Sequence, residues 1–114
     1  MNLANIEVDS RVNDGDLLHI GNLEFKVILT PGHTKDGVSI YSEKEKLVFS
    51  GDTMFAGGWG RIDLPTGSLV EIMDSITNKL LCLPDETIIY PGHDRPTTIR
   101  DEKVIYNELK QTDI

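Results

Sequence analysis

The sequence predicts an α/β (α+β) fold: one mixed, mostly antiparallel sheet with two covering helices. Three observations predict it. Short apolar runs are joined in pairs by turn residues, two stretches carry helical periodicity, and three of the strands lead directly into glycine turns. With 114 residues there is room for one core, so residues 1–114 are expected to form a single domain.

Ile6 and Val8 alternate with polar neighbours and predict a short edge strand, followed by turn chemistry at Asn13-Asp14-Gly15-Asp16. Leu17 to Ile20 and Leu23 to Leu29 flank Gly21-Asn22, a two-residue loop of the kind that closes a β-hairpin. Val38 to Tyr41 and Lys46 to Ser50 form a second pair around Ser42-Glu43-Lys44-Glu45, and Gly51 ends it. Gly57 to Gly67 holds four glycines, Trp59 and Pro65, and reads as a long loop.

Ser68 with Glu71 three residues on predicts a capping box, each side chain satisfying the other's backbone N–H. Leu69, Ile72, Met73, Ile76 and Leu80 then recur at helical spacing, and Pro84 stops the helix. Thr87 to Tyr90 is a β-branched run that predicts a strand. Thr98 begins a final helix with Asp101 and Glu102 in its first turn and a weaker apolar face of Val104, Ile105 and Leu109.

Eleven Lys and Arg against nineteen Asp and Glu give a formal charge of −8, which argues against nucleic acid or an anionic membrane as partner. A metal cation or a small substrate fits better. Cys82 is the single cysteine, so neither an internal disulfide nor a cysteine-rich zinc cage can form, and a reducing, cytoplasmic setting is expected. Met1 to Ser10 has no basic or apolar region, so no signal peptide is expected. Apolar runs such as Val27 to Leu29 fall far below the roughly 20 residues of a membrane span.

Three times an apolar strand runs into a glycine turn and then a side chain able to bind metal: Val27 to His33, Leu47 to Asp52 and Thr87 to His93. If these strands share a sheet and run in one sense, the three side chains converge at one edge. Two imidazoles and a carboxylate suit Zn²⁺, Fe²⁺ or Mn²⁺. Taken singly, each histidine could close a turn and Asp52 could cap a helix; the threefold repetition favours a site. His19, inside a strand, reads as structural, Cys82 as a semi-buried thiol packing as a small hydrophobe, and Glu43 to Lys46 as a solvated hairpin tip.

Thr30-Pro-Gly-His-Thr34, Gly51-Asp-Thr-Met-Phe55, Gly60-Arg-Ile-Asp-Leu-Pro65 and Tyr90-Pro-Gly-His93 resemble successive signatures of the metallo-β-lactamase superfamily. The match is similar to its glyoxalase-II-like (hydroxyacylglutathione hydrolase-like) branch, Pro96-Thr-Thr-Ile99 included, and spans Asp14 to about Asn107. This resemblance implies one half of an αββα sandwich. It implies that His33 completes a first metal site, that Asp52 is the catalytic carboxylate bridging both metals, and that His93 completes the second. The full family site holds two zinc ions, with one or none expected here and iron or manganese as alternatives. The implied reaction is hydrolysis of a thioester, ester or lactone by metal-bound hydroxide, with Trp59 and Arg61 bordering the substrate pocket. Pairing of Arg61 with Asp63 is the competing reading of that loop.

No His-x-His pair occurs in these residues, whereas the family's Thr-His-x-His-x-Asp-His segment would stand before Asp14. The chain therefore resembles a C-terminal half, expected to be inactive alone. Its expected partners are a small acyl or thioester substrate and either the N-terminal half or a second copy, docked on an exposed sheet face. Two other readings stand beside the hydrolase. One is a mononuclear iron oxygenase similar to persulfide dioxygenases, with His33 and Asp52 among its ligands; the other is a non-catalytic metal-binding or interaction fragment.

Overall fold

Asp14 and Asp16 start the described chain by satisfying backbone donors: Leu29 N–H donates to Asp14 Oδ1 at 2.9 Å and Asn13 N–H to Asp16 Oδ2 at 2.8 Å. The computed structural model describes residues 12–112, with side chains to residue 108. The edge strand expected at Ile6 and Val8 and the side chain of Leu109 lie outside the described residues.

Strands β1 (Leu17–Ile20) and β2 (Leu23–Leu29) form the predicted hairpin, with Ile20 opposite Leu23. Gly21 has φ +61 while Asn22 stays out of the left-handed region, the φ pattern of a type II′ turn. The second hairpin is shifted by one residue at its tip. Strand β3 (Val38–Ser42) keeps Ser42, and β4 (Leu47–Gly51) begins one residue later than expected, because Lys46 turns the chain at φ 56.

The predicted long loop contains structure that the sequence does not display. Strands β5 (Met54–Phe55) and β6 (Gly58–Trp59) pair Met54 with Trp59 and Phe55 with Gly58. Two residues per strand, with Gly58 among them, are too few for an alternating pattern to register.

Helix α1 (Leu69–Asn78) starts at its N-cap Ser68, whose Oγ accepts the Glu71 N–H at 3.2 Å. Only half of the expected capping box forms. The Ser68 N–H donates instead to Gly32 O at 2.7 Å, which ties the helix start to the loop after β2. The helix also stops sooner than Pro84 requires, at Asn78, and a 3-10 turn over Leu80–Cys82 follows. Ile72, Ile76 and Leu80 are buried as predicted, whereas Leu69 is 49% exposed. Each fully buried Ile or Leu contributes about 1.5–3 kcal/mol.

Strand β7 (Ile88–Pro91) is followed by β8 (Thr97–Thr98) and helix α2 (Ile99–Thr112). Thr98 pairs within the sheet and its Oγ1 accepts the Asp101 N–H at 3.2 Å, so it caps the helix from outside. The buried side of α2 is not the one expected: Val104 is 56% exposed, and Ile99, Glu102 and Tyr106 point inward.

The sheet runs β1-β2-β3-β4-β7-β8, and β4–β7 is its parallel pair. Because β3 is antiparallel to both β2 and β4, strands β2, β4 and β7 run in the same sense. One face carries Val48 and Ile89 against Ile72, Ile76, Leu80, Ile99 and Tyr106. The opposite face carries Phe25, Val27 and Ile40 packed with Val38, Leu47 and Phe49, and no described helix covers it. Among the described residues, no helix is long and apolar enough to cross a membrane.

Candidate metal centre

Because β2, β4 and β7 run in one sense, their glycine turns emerge at one edge of the sheet, as the sequence predicts. Helix α1 grips the first turn at three points. Ser75 Oγ donates to Pro31 O at 2.7 Å, Lys79 Nζ to Leu29 O at 2.6 Å, and Gly32 O receives the Ser68 N–H. Gly32 has φ +143, and a Cβ there would lie 2.3 Å from the Ile72 backbone, so only glycine permits this approach. Beneath the turns, the buried Thr30 hydroxyl meets Ser39 Oγ and Thr53 Oγ1, each at 3.0 Å. The Gly92 N–H donates to Gly51 O at 2.8 Å and joins the second turn to the third.

His33, Asp52 and His93 come together there. His33 Nε2 lies 3.7 Å from Asp52 Oδ2, and His93 Nε2 lies 3.7 Å from Asp52 Oδ1, so the carboxylate presents one oxygen to each imidazole. His33 Nδ1 donates to Arg61 O at 2.8 Å. A carbonyl can only accept, so Nδ1 carries the hydrogen, and it is Nε2 that faces the carboxylate. Such a separation is long for a hydrogen bond. It is close to the ~3.4 Å spanned by two ligands at bond lengths of ~2.1 Å on one tetrahedral ion.

The donor set thus fits a pair of half-sites sharing one carboxylate. It does not fit a closed cage: among the described residues, no group of three or more His, Cys, Asp or Glu could hold a metal ion. The two half-sites differ in access, since the His33 side chain is 21% exposed and that of His93 is 64% exposed. The His93 ring packs at 4.3 Å from that of Phe55.

Arg61 contributes its carbonyl to His33, while its guanidinium makes a bidentate pair with Asp63 at 2.7 and 2.9 Å. That pair raises the Arg61 pKa and lowers that of Asp63, in each case chiefly through the side-chain hydrogen bond. Trp59 is half-buried and its ring centroid lies 6.1 Å from that of Tyr106. A groove of about 700 Å³ lined by Leu17, Lys26, Tyr41 and Ser42 lies at the opposite end of β3 and β4. His19 is structural in its contacts, with Nε2 3.1 Å from Glu24 Oε2 on the paired strand. Cys82 is exposed rather than semi-buried: its thiol donates to Asn78 O at 3.4 Å, at the end of α1 where carbonyls lack helical partners.

Sequence reasoning missed Glu102 and Tyr106, which hold the loop carrying Trp59. Glu102 accepts the Gly57 N–H at 2.9 Å, and Tyr106 Oη donates to Gly58 O at 3.3 Å. Their spacing from Ile99, three and seven residues, is the signal that would have found them. Burial, then the charge of Glu102, raises the Tyr106 pKa far above the ordinary tyrosine value.

Fold and donor set define an α/β protein with strand-end His and Asp side chains converging at one sheet edge. The chain belongs to the metallo-beta-lactamase superfamily, whose description matches residues 3–93. It is 44% identical over 88 residues to the hydroxyacylglutathione hydrolase of Methylobacterium nodulans, covering 77% of this chain and 33% of that protein. Among solved structures it is similar to ETHE1 from Myxococcus xanthus, with TM-score 0.76 and 43% identity over 81% of this chain and 42% of that one. It is also similar to TTHA1623 in a di-iron-bound form, with TM-score 0.73 and 34% identity over 87% of this chain and 47% of that one. The chain spans less than half the length of the curated relatives it matches. Its mainly antiparallel sheet and two helices are half of the superfamily's fold.

Proposed function

We propose that this chain carries one side of a two-metal hydrolase centre of the hydroxyacylglutathione hydrolase type, acting on a small thioester, ester or lactone. The observation that carries it is the Asp52 carboxylate placed between two imidazole Nε2 atoms, one per oxygen. His33 and Asp52 would hold one ion, His93 and Asp52 the other, with zinc first among the metals. Bound cations would acidify a water and polarise the acyl carbonyl. Asp52 spaces the two half-sites, Arg61 O fixes the His33 ring, and Trp59 and Arg61 border the substrate side. The remaining ligands come from an N-terminal half that lies on the sheet face that no described helix covers; without it, two copies of this chain associate through that face.

Titration of the 114-residue chain with Zn²⁺, and thioester hydrolysis after adding a separately produced N-terminal half from a relative, test the reading. Asp52→Asn should abolish both. No binding at micromolar zinc or iron, together with no hydrolysis in the mixture, leaves a non-catalytic interaction fragment. A mononuclear iron oxygenase similar to persulfide dioxygenases is the second reading, with some support from the likeness to ETHE1. An iron-dependent electronic spectrum with oxygen consumption and no hydrolysis would select it.

A further inference from the structure

Glu102 is the charged residue within the buried polar set of the described residues, 1% exposed. Oε1 accepts the Gly57 N–H at 2.9 Å and Oε2 the Thr97 hydroxyl at 2.8 Å. Both of these partners are neutral. A carboxylate in such a place is costly unless both oxygens are satisfied, and a Leu would fill the space more simply. What the carboxylate adds is position.

Gly57, at φ +77, is in the two-residue turn of the β5–β6 hairpin, and one helical turn after Glu102 the Tyr106 hydroxyl holds the neighbouring Gly58 O. Each arm of the hairpin ends on a site histidine. Phe55 of β5 packs on His93; beyond β6, the Gly60 N–H donates to Thr53 O at 3.2 Å and Arg61 O takes the His33 Nδ1 hydrogen.

We propose that Glu102 is a positioning residue of the metal centre: by fixing the turn of the β5–β6 hairpin it sets the His33 tautomer and the packing of His93. The identity of the centre as a metal site rests on the function proposed above; the positioning of the two imidazoles does not require a metal.

Long-range ¹H–¹⁵N spectra of the imidazoles in the 114-residue chain test it, with Glu102→Ala, Glu102→Gln and Glu102→Leu. The native chain should show His33 as the Nδ1–H tautomer. Glu102→Ala should average the His33 tautomers and shift His93 while leaving His19 unchanged, and should weaken Zn²⁺ binding roughly tenfold. Glu102→Gln should restore both, because its amide oxygen can accept from Gly57 and its NH₂ can donate to Thr97 Oγ1. Unchanged His33 and His93 signals in a folded Glu102→Ala chain, or a Gln variant that fails to restore them, would overturn the proposal. Should the Ala variant not fold, Glu102→Leu decides: it fills the space without accepting from Gly57 or Thr97, and a His33 signal identical to native counts against the proposal. Shifted imidazoles in a chain that binds no Zn²⁺ would uphold the positioning and sink the metal reading.

Discussion

Gly60 shows how closely the chain beyond β6 packs on the backbone of Asp52 and the ring of His33. A Cβ there would lie 1.9 Å from Asp52 O and 3.0 Å from His33 Nδ1, and neither neighbour is a flexible side-chain end. Gly60→Ala should therefore destabilise the chain by about 1–3 kcal/mol and displace the His33 ring, read by urea unfolding and by the His33 resonances. Native-like values for both would show that the loop yields. Tyr106 gives a second residue-scale prediction. Its folded pKa is raised, so its stabilisation is complete below the unfolded tyrosine value of about 10 and is lost as pH climbs from there through the folded value. Tyr106→Phe should flatten the alkaline limb of a stability-against-pH curve, and an unchanged limb would contradict the assignment.

Among the elements, the capping of α1 is the most exposed to a simple test. Ser68 uses its Oγ on Glu71 N–H and its own N–H on Gly32 O. Ser68→Ala removes the first contact and keeps the second, so it should cost about 1 kcal/mol in urea unfolding. A loss of less than a few tenths would mean that the Gly32 contact alone sets the helix start. The hairpins and the apolar side of α1 were legible in the sequence because turn residues and period bound them. The His33, Asp52 and His93 turns were legible because one pattern repeats three times. The β5–β6 hairpin was not, since its strands are too short to have a period. Local sequence presents Glu102 as a first-turn acid facing the helix dipole; its partners, Gly57 and Thr97, are set by tertiary packing that local sequence does not display.

At the scale of the whole molecule, the sheet face that no described helix covers matters most. Val38, Leu47, Phe49 and Tyr90 are half-buried on it and Ile88 is exposed, with Phe49 and Tyr90 stacked at 5.5 Å. Light scattering at micromolar concentration should show the chain as a dimer, and addition of an N-terminal half should return it to a one-to-one complex. A monomer throughout would refute association through this face. Replacing Phe49 with Lys on this face should abolish the dimer while leaving the Zn²⁺ titration in place.

The parallel pairing of β4 with β7 bears on how the molecule is made as well as on its shape. The β1–β4 meander needs only neighbouring hairpins, whereas His93 reaches Asp52 only after β5, β6 and α1 have been threaded between the two strands. Contacts of that sequence separation close late in folding. A cation that requires both His93 and Asp52 would then bind only chains that have completed their last long-range step, so metal uptake by this protein would act as a clock for the end of its own folding.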